Sequence, residues 1–228
     1  TGSYAGTSMS DLFNKYSSMK QAPSEVVEQE GSKSSTIDTM PSKLSSGIHV
    51  KIPKYAENPD VIPITINLDE SIKDGDTLTM YDPKGVMVFK LEPALDTTIN
   101  YISTRFRLIS GGNSKLVIER RGSASSEYKY IDQVDSDSYA SISNMASDKN
   151  DIDSFKEIYK DNRIQTLFRN SMSREGYISS IVYESSNGQT KVTMTPLLAK
   201  HPYFELRGDI PNTQVKDIEL SSERYSEY

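Results

Sequence analysis

The sequence predicts an all-β protein, and three observations in it carry that expectation. From Ile62 onward, the apolar residues Ile62, Ile64, Ile66 and Leu68 alternate with Pro63, Thr65, Asn67 and Asp69. That is the period of a strand with one face turned inward and the other toward water. A second segment repeats the pattern, with Ile102, Thr104, Phe106 and Leu108 on one face and Ser103, Arg105 and Arg107 on the other. Third, short strand-like runs recur between Gly, Pro, Asn and Asp turn signals over ~80 residues from Ile48, and again in the C-terminal part. Together they predict two immunoglobulin-like β-sandwich domains in tandem, preceded by a short N-terminal helix or extension.

Residues 1–47 form the extension. Leu12, Phe13, Tyr16 and Met19 fall at i, i+1, i+4 and i+7 behind Ser10 and Asp11 as N-cap residues, the pattern of a short amphipathic helix. Ser17 to Ser46 reads as an exposed linker with too little apolar surface to offset its ordering entropy. The first sandwich spans 48–133. After Leu68 come a polar loop, Ser71 to Asp76, and a strand, Leu78 to Tyr81. Asp82-Pro83-Lys84-Gly85 then supplies the residues of a type I turn, because Pro presets its φ and Asp caps the turn. Val86 to Leu91, Lys115 to Arg120 and Tyr128 to Ile131 continue the strands, with Gly111-Gly112-Asn113 as a turn.

Residues 134–150, within an acidic, Ser-rich run, form the linker between domains, and 151–228 form the second sandwich. Its strands are Arg163 to Arg169, Tyr177 to Tyr183, Thr190 to Leu197, Tyr203 to Arg207 and Gln214 to Leu220. Asn187-Gly188 predicts a hairpin whose type I′ turn has positive φ at both central residues. Val215 is out of phase with Ile218 and Leu220, which predicts a bulge or a later strand start. Ile152, Phe155, Ile158 and Tyr159 fit one helical face, and the window is too short for periodicity to exclude a strand.

Composition narrows the function. The net charge is −6 with Lys and Arg scattered along the chain, so a nucleic acid backbone is repelled and nucleic acid is excluded as the main partner. No apolar run approaches the ~20 residues of a membrane-crossing helix, so no membrane span is expected. There is no cysteine, which removes disulfides, thiolate catalysis and Cys-ligated metal centres from consideration.

Several segments also carry a family resemblance. KIPKYAENPDVIPITINLD (Lys51 to Asp69), FKLEP (Phe89 to Pro93) and STRFRL (Ser103 to Leu108) resemble SoxY, the sulfur-carrying subunit of the bacterial thiosulfate-oxidising Sox system. RNSMSREG (Arg169 to Gly176), NGQTKV (Asn187 to Val192) and AKHPYFELRGD (Ala199 to Asp209) resemble its partner SoxZ. The resemblance implies a SoxY–SoxZ fusion-like chain, SoxY-like over 48–133 and SoxZ-like over 151–228, with the two domains packed on each other. It makes part of the segment around Phe155 a strand. It also implies a periplasmic location, the signal peptide being absent from this chain. The carrier's own activity depends on a Gly-Gly-Cys-Gly-Gly arm whose thiolate holds the sulfur; the present sequence has neither that motif nor a cysteine, so the scaffold is implied without the carrying chemistry.

Residues that would bear other chemistry are few. His201 and His49 are the two imidazoles, with no carboxylate pair near His201 in sequence, and they read as structural or surface residues. Met172 reads as a gap-filling or interface methionine rather than a Cu(I) ligand. Asp148, Asn150 and Asp153 invite a calcium loop, but its glycine and bidentate glutamate positions hold Asp153 and Tyr159. Arg105, Arg107, Arg120 and Arg121 would hold a small anion such as sulfate or thiosulfate if they gathered on one sheet face. The 14 tyrosines supply aromatic anchors for protein contacts. No catalytic, cofactor or metal residue is assigned. The expectation is a non-enzymatic, cofactor-free periplasmic scaffold of sulfur oxidation, docking with Sox or quinoprotein-type redox proteins. The alternative is a periplasmic binding module for a small anion or other ligand on the same fold.

Overall fold

The computed structural model describes residues 47–109, 114–122, 127–141, 155–168, 172–173, 176–199 and 202–221. In chain order the strands are β1 (Ile48–Lys51), β2 (Ile62–Ile72), β3 (Thr77–Tyr81), β4 (Met87–Glu92), β5 (Thr98–Phe106), β6 (Ser114–Arg121) and β7 (Glu127–Val134). There follow β8 (Phe155–Lys160), β9 (Arg163–Phe168), β10 (Met172–Ser173), β11 (Gly176–Ser185), β12 (Gly188–Met194), β13 (Tyr203–Asp209) and β14 (Gln214–Ser221), with a 3-10 turn at Pro196–Leu198. Apart from that turn, the regular structure of the described residues is all-β, as the alternation predicts. The N-terminal helix, the Gly111-Gly112-Asn113 turn, most of the linker and the Asp148–Asp153 loop lie outside the described residues.

Two antiparallel sheets make the sandwich. One has six strands in the order β1-β2-β5-β13-β9-β8; the other has eight, β10-β11-β12-β4-β3-β6-β7 with β14 on the other side of β11. Each sheet takes strands from both halves of the chain. The halves meet where β5 pairs with β13 and where β4 pairs with β12. Both halves also use one pairing scheme: β1-β2-β5 is matched by β8-β9-β13, and β4-β3-β6 by β12-β11-β14. Because the joining strands are the corresponding ones and run antiparallel, the halves are arranged about an approximate two-fold axis.

The core is one continuous layer between the sheets. It takes Ile64, Ile66, Ile102 and Phe106 from the first half of the six-stranded sheet and Ile164, Phe204 and Leu206 from the second. Leu78, Phe89, Leu91, Ile181, Tyr183, Val192 and Met194 face them from the eight-stranded sheet. Across the joint the Phe89 and Phe204 rings meet edge to face, their centroids 6.3 Å apart at 77°, the arrangement the ring quadrupole favours. The Tyr183 hydroxyl donates to Thr166 Oγ1 at 2.7 Å, so a polar group deep in the core is satisfied from the opposite sheet.

The turns show which local signals act as expected. Asp82 caps the turn after β3, its Oδ1 accepting from the amides of Lys84 and Val86 at 3.0 and 2.8 Å, while Gly85 takes φ +81°. The β11–β14 ladder slips between Val182 and Tyr183, which places a bulge at Lys216 beside Val215. Phe155–Lys160 is a strand rather than a helix, because it has β9 to pair with along its whole length. The type I′ expectation is displaced. The β11–β12 loop is Ser186-Asn187, closed by the Ser185–Gly188 pair, and neither loop residue has positive φ. Positive φ at two adjacent residues occurs instead at Asp161 (52°) and Asn162 (62°), between β8 and β9. Gly188 serves a packing purpose: a Cβ there would lie 2.9 Å from Leu95 N and 3.0 Å from Ala94 Cβ.

That close approach is part of a second fastening between the halves. The Asp96 carboxylate, in the β4–β5 connection, accepts from Ser185 Oγ at 2.5 Å, Ser186 Oγ at 2.8 Å, the Asn187 amide at 2.9 Å and Thr97 Oγ1 at 3.2 Å. Burial alone would raise the Asp96 carboxyl, but the hydrogen bonds from Ser185, Ser186, Asn187 and Thr97 outweigh it and hold the group below its ordinary range. A carboxyl lowered in the folded state contributes stability above its unfolded value near 3.8, and that contribution is lost as pH falls through the folded value. Asp96→Ala is therefore expected to cost about 1–2 kcal/mol at pH 7. The gap from wild type should close progressively as pH falls below about 4, as urea titrations at pH 7 and pH 3 will report.

Candidate functional site

Strand alternation assigns the residues that turn away from the core. With Ile102, Phe204, Leu206 and Ile164 facing inward, the outer face of the six-stranded sheet carries Tyr101, Ser103 and Arg105 on β5, Tyr203, Glu205 and Arg207 on β13, and Arg163 and Gln165 on β9. The register sets these side chains in rows across the joint. One row runs Lys160, Arg163, Arg207, Tyr101, Asn67, His49. The next runs Gln165, Glu205, Ser103, Thr65, Lys51.

Glu205 is the hub. Its Oε2 accepts from Arg207 Nε at 2.9 Å and lies 2.7 Å from Arg207 Nη2, so two nitrogens on one edge of the guanidinium converge on a single oxygen. Its Oε1 accepts from Gln165 Nε2 and lies 3.8 Å from Arg163 Nη1. Arg207 Cζ sits 4.3 Å above the Tyr101 ring, so the same guanidinium is held from two sides. The Tyr101 phenol is raised by burial first and by Glu205 second, with Arg207 acting against both.

Along the outer face, toward the end of β5, the chemistry is different. Arg105 and Arg107 are 2% and 1% exposed, and burial pushes both guanidinium pKa values down to about 10, with Tyr203 and Asp60 respectively counteracting the loss. The face that alternation assigned to water is buried at Thr65, Ser103 and Arg105. Alternation distinguishes two faces and does not say whether the second is covered. The four arginines of the candidate anion site divide between the sheets. Arg105 and Arg107 belong to the β5 region, Arg120 and Arg121 to β6 in the eight-stranded sheet. Arg120 reaches back to the Glu70 carbonyl and donates to the Ser71 carbonyl at 3.0 Å, with Asp76 at 3.9 Å, while Arg121 pairs with Glu119 at 2.7 Å.

His49 lies exposed on edge strand β1, its Nε2 2.8 Å from Asp69 Oδ1. His201 lies outside the described residues, as does the side chain of Met172. Among the described residues no group of three or more His, Cys, Asp or Glu converges as a metal site, and no helix is long and apolar enough to cross a membrane. A shallow hollow opens beside β2, lined by Pro53, Tyr55, Ala56, Glu57, Asn58 and Val61, among others. The Glu205 cluster escaped the sequence reading. The signal for it is the alternation of Tyr203, Glu205 and Arg207 opposite Arg163 and Gln165, which becomes visible only once the strands are paired.

Comparison with known proteins gives little further. No protein family model matches the chain, and no curated protein matches it. Among solved structures, the chain is similar in part to the sulfur carrier protein SoxY from Chlorobium limicola f thiosulfatophilum, at 20% identity over 47% of this chain and 96% of that one, with a TM-score of 0.30.

Proposed function

We propose that this chain is a non-enzymatic docking protein: a two-lobed scaffold, with lobes at 48–133 and 151–228 joined by a 134–150 linker, acting in periplasmic sulfur oxidation or a related redox route. The observation that carries the reading is where the family-like segments fall. FKLEP lies on β4 and just beyond it, STRFRL covers the end of β5, NGQTKV covers most of β12, and AKHPYFELRGD contains β13, so the segments resembling the two carrier subunits fall on all four strands at which the halves join. A chain that keeps those strands keeps the means of holding two lobes together as one binding body. With no cysteine in the 228 residues, it holds no cargo as a thiolate adduct, and its contribution is contact with other proteins. The small-anion alternative has less support, since the arginines that would form its site fall in two sheets.

The test uses the purified chain immobilised against purified Sox proteins and periplasmic quinoproteins. Saturable, micromolar or tighter binding to at least one is expected, as for transient docking. The intact mass of the natively isolated chain should show no sulfur adduct. Absence of binding to every partner overturns the docking reading, and a sulfur adduct on any side chain overturns the claim that nothing is carried covalently.

A further inference from the structure

The register that builds the outer face of the six-stranded sheet also creates an electrostatic oddity. Lys160, Arg163 and Arg207 stand directly opposite one another on β8, β9 and β13, three cations in one row with no acid between them. Like charges in directly opposed cross-strand positions repel, and a sheet gains nothing structural from the arrangement. Glu205, in the neighbouring row, is the acid that the described ion pairs give to Arg163 and Arg207. Asp161, in the adjoining turn, makes no ion pair with Lys160 or Arg163 among the described residues. The outer face of the eight-stranded sheet is built otherwise. There Lys90 meets Glu92 at 3.2 Å, Arg121 and Lys129 meet Glu119 at 2.7 and 3.6 Å, and Lys216 meets Glu184 at 3.4 Å. There a cation stands opposite an acid, as Lys129 does opposite Glu119, whereas the six-stranded sheet sets three cations side by side with the Glu205 carboxylate in the next row.

The row is both open and pre-positioned. Lys160 is exposed, and the Arg207 and Arg163 side chains are 46% and 34% exposed, in contrast to the buried Arg105 and Ser103 further along the face. Glu205 and the Tyr101 ring hold Arg207 in place from beneath and beside, so the guanidinium loses little freedom when it meets a second acid. Strands lie about 4.8 Å apart, so the three cations span roughly 10 Å, longer than one small oxyanion bridges. An extended polypeptide presents same-side carboxylates about 6.7 Å apart, so two or three of them reach the row together. From this we infer that Lys160, Arg163 and Arg207 form a docking row for an acidic, extended segment of a partner protein. The inference rests on the docking reading above and gives it a place and a chemistry.

The experiment uses the full chain with a fluorescein-labelled octaglutamate peptide, read by anisotropy at low and physiological salt. Lys160→Glu with Arg163→Glu should weaken binding by about ten-fold or more, and Lys90→Glu with Lys191→Glu, the same charge change on the other sheet, by less than about two-fold. If the first pair lowers the melting temperature, Lys160→Gln with Arg163→Gln replaces it, with a smaller loss in the same direction expected. Equal losses from the two pairs overturn the inference, as does absence of peptide binding to the wild type. Displacement of the peptide by inorganic phosphate at matched ionic strength would mark a small-oxyanion site instead, and tighter binding of single-stranded DNA a nucleic acid surface; either result also overturns it. Protein-partner binding that survives the Lys160/Arg163 changes removes this row alone. Octaglutamate binding with no protein partner removes the docking reading alone.

Discussion

Gly208→Ala lowers stability by about 3 kcal/mol or more, the upper end for inserting a methyl into a packed site. For a chain of this size that is a fall of roughly 6–12 °C in melting temperature. The reason is a backbone contact rather than conformational preference. A Cβ at Gly208 would lie 2.0 Å from the Thr98 carbonyl oxygen and 2.8 Å from Ile99 Cα. Both are main-chain atoms of β5, so no side chain can swing aside to make room. Gly208 sits where the β13–β5 ladder slips by one residue, next to Arg207, so relief of the clash must separate the strands that join the two halves. Gly85→Ala is the control. Gly85 has φ +81°, and no atom stands within 4 Å of the place a Cβ would take, so it should cost only the ~1–2 kcal/mol of left-handed backbone. Calorimetry of both variants separates the two causes, and equal losses would show that β5 and β13 approach each other less closely than this contact requires.

Phe204→Ala is expected to cost about 3–5 kcal/mol, the range for emptying a buried aromatic site. Phe204 lies on β13 and its edge-to-face partner Phe89 on β4, so the contact spans both sheets and both halves. Removing it should weaken the whole sandwich without freeing one half to melt alone. A double-mutant cycle with Phe89→Ala should return a coupling of about 0.5–1.5 kcal/mol. Urea titration checks this: a single transition displaced to lower urea is expected, whereas two separated transitions would mean that the halves are independent bodies.

Local structure was legible where one short stretch holds all the information. Ile62 to Leu68 announces β2 by alternation alone, Asp82 to Gly85 announces its turn through a cap and a glycine, and Val215 announces the bulge by falling out of phase. What stayed hidden depends on residues far apart in sequence. Whether the edge of β5 away from β2 pairs with another strand of its own half or with β13 leaves the same alternating imprint on Ser103 to Leu108, so the sharing of both sheets could not be read. Burial of Arg105 and Arg107 was hidden for a related reason, since alternation assigns them to the second face and is silent on what covers it. Gly188 looked like a turn glycine because it follows Asn187, yet its glycine is required by Leu95 and Ala94, more than ninety residues earlier in the chain. The Glu205 cluster and the Lys160, Arg163, Arg207 row are cross-strand objects that exist only in the register.

The claim on which the rest depends is that the two halves form one body through the β5–β13 and β4–β12 ladders. Native-state hydrogen exchange tests it most directly. Amides of β5, β13, β4 and β12 should exchange only through global unfolding, with one common free energy for strands of both halves. Exchange of the β5–β13 and β4–β12 amides well before the strand interiors, with separate free energies for the first and second halves, would contradict it.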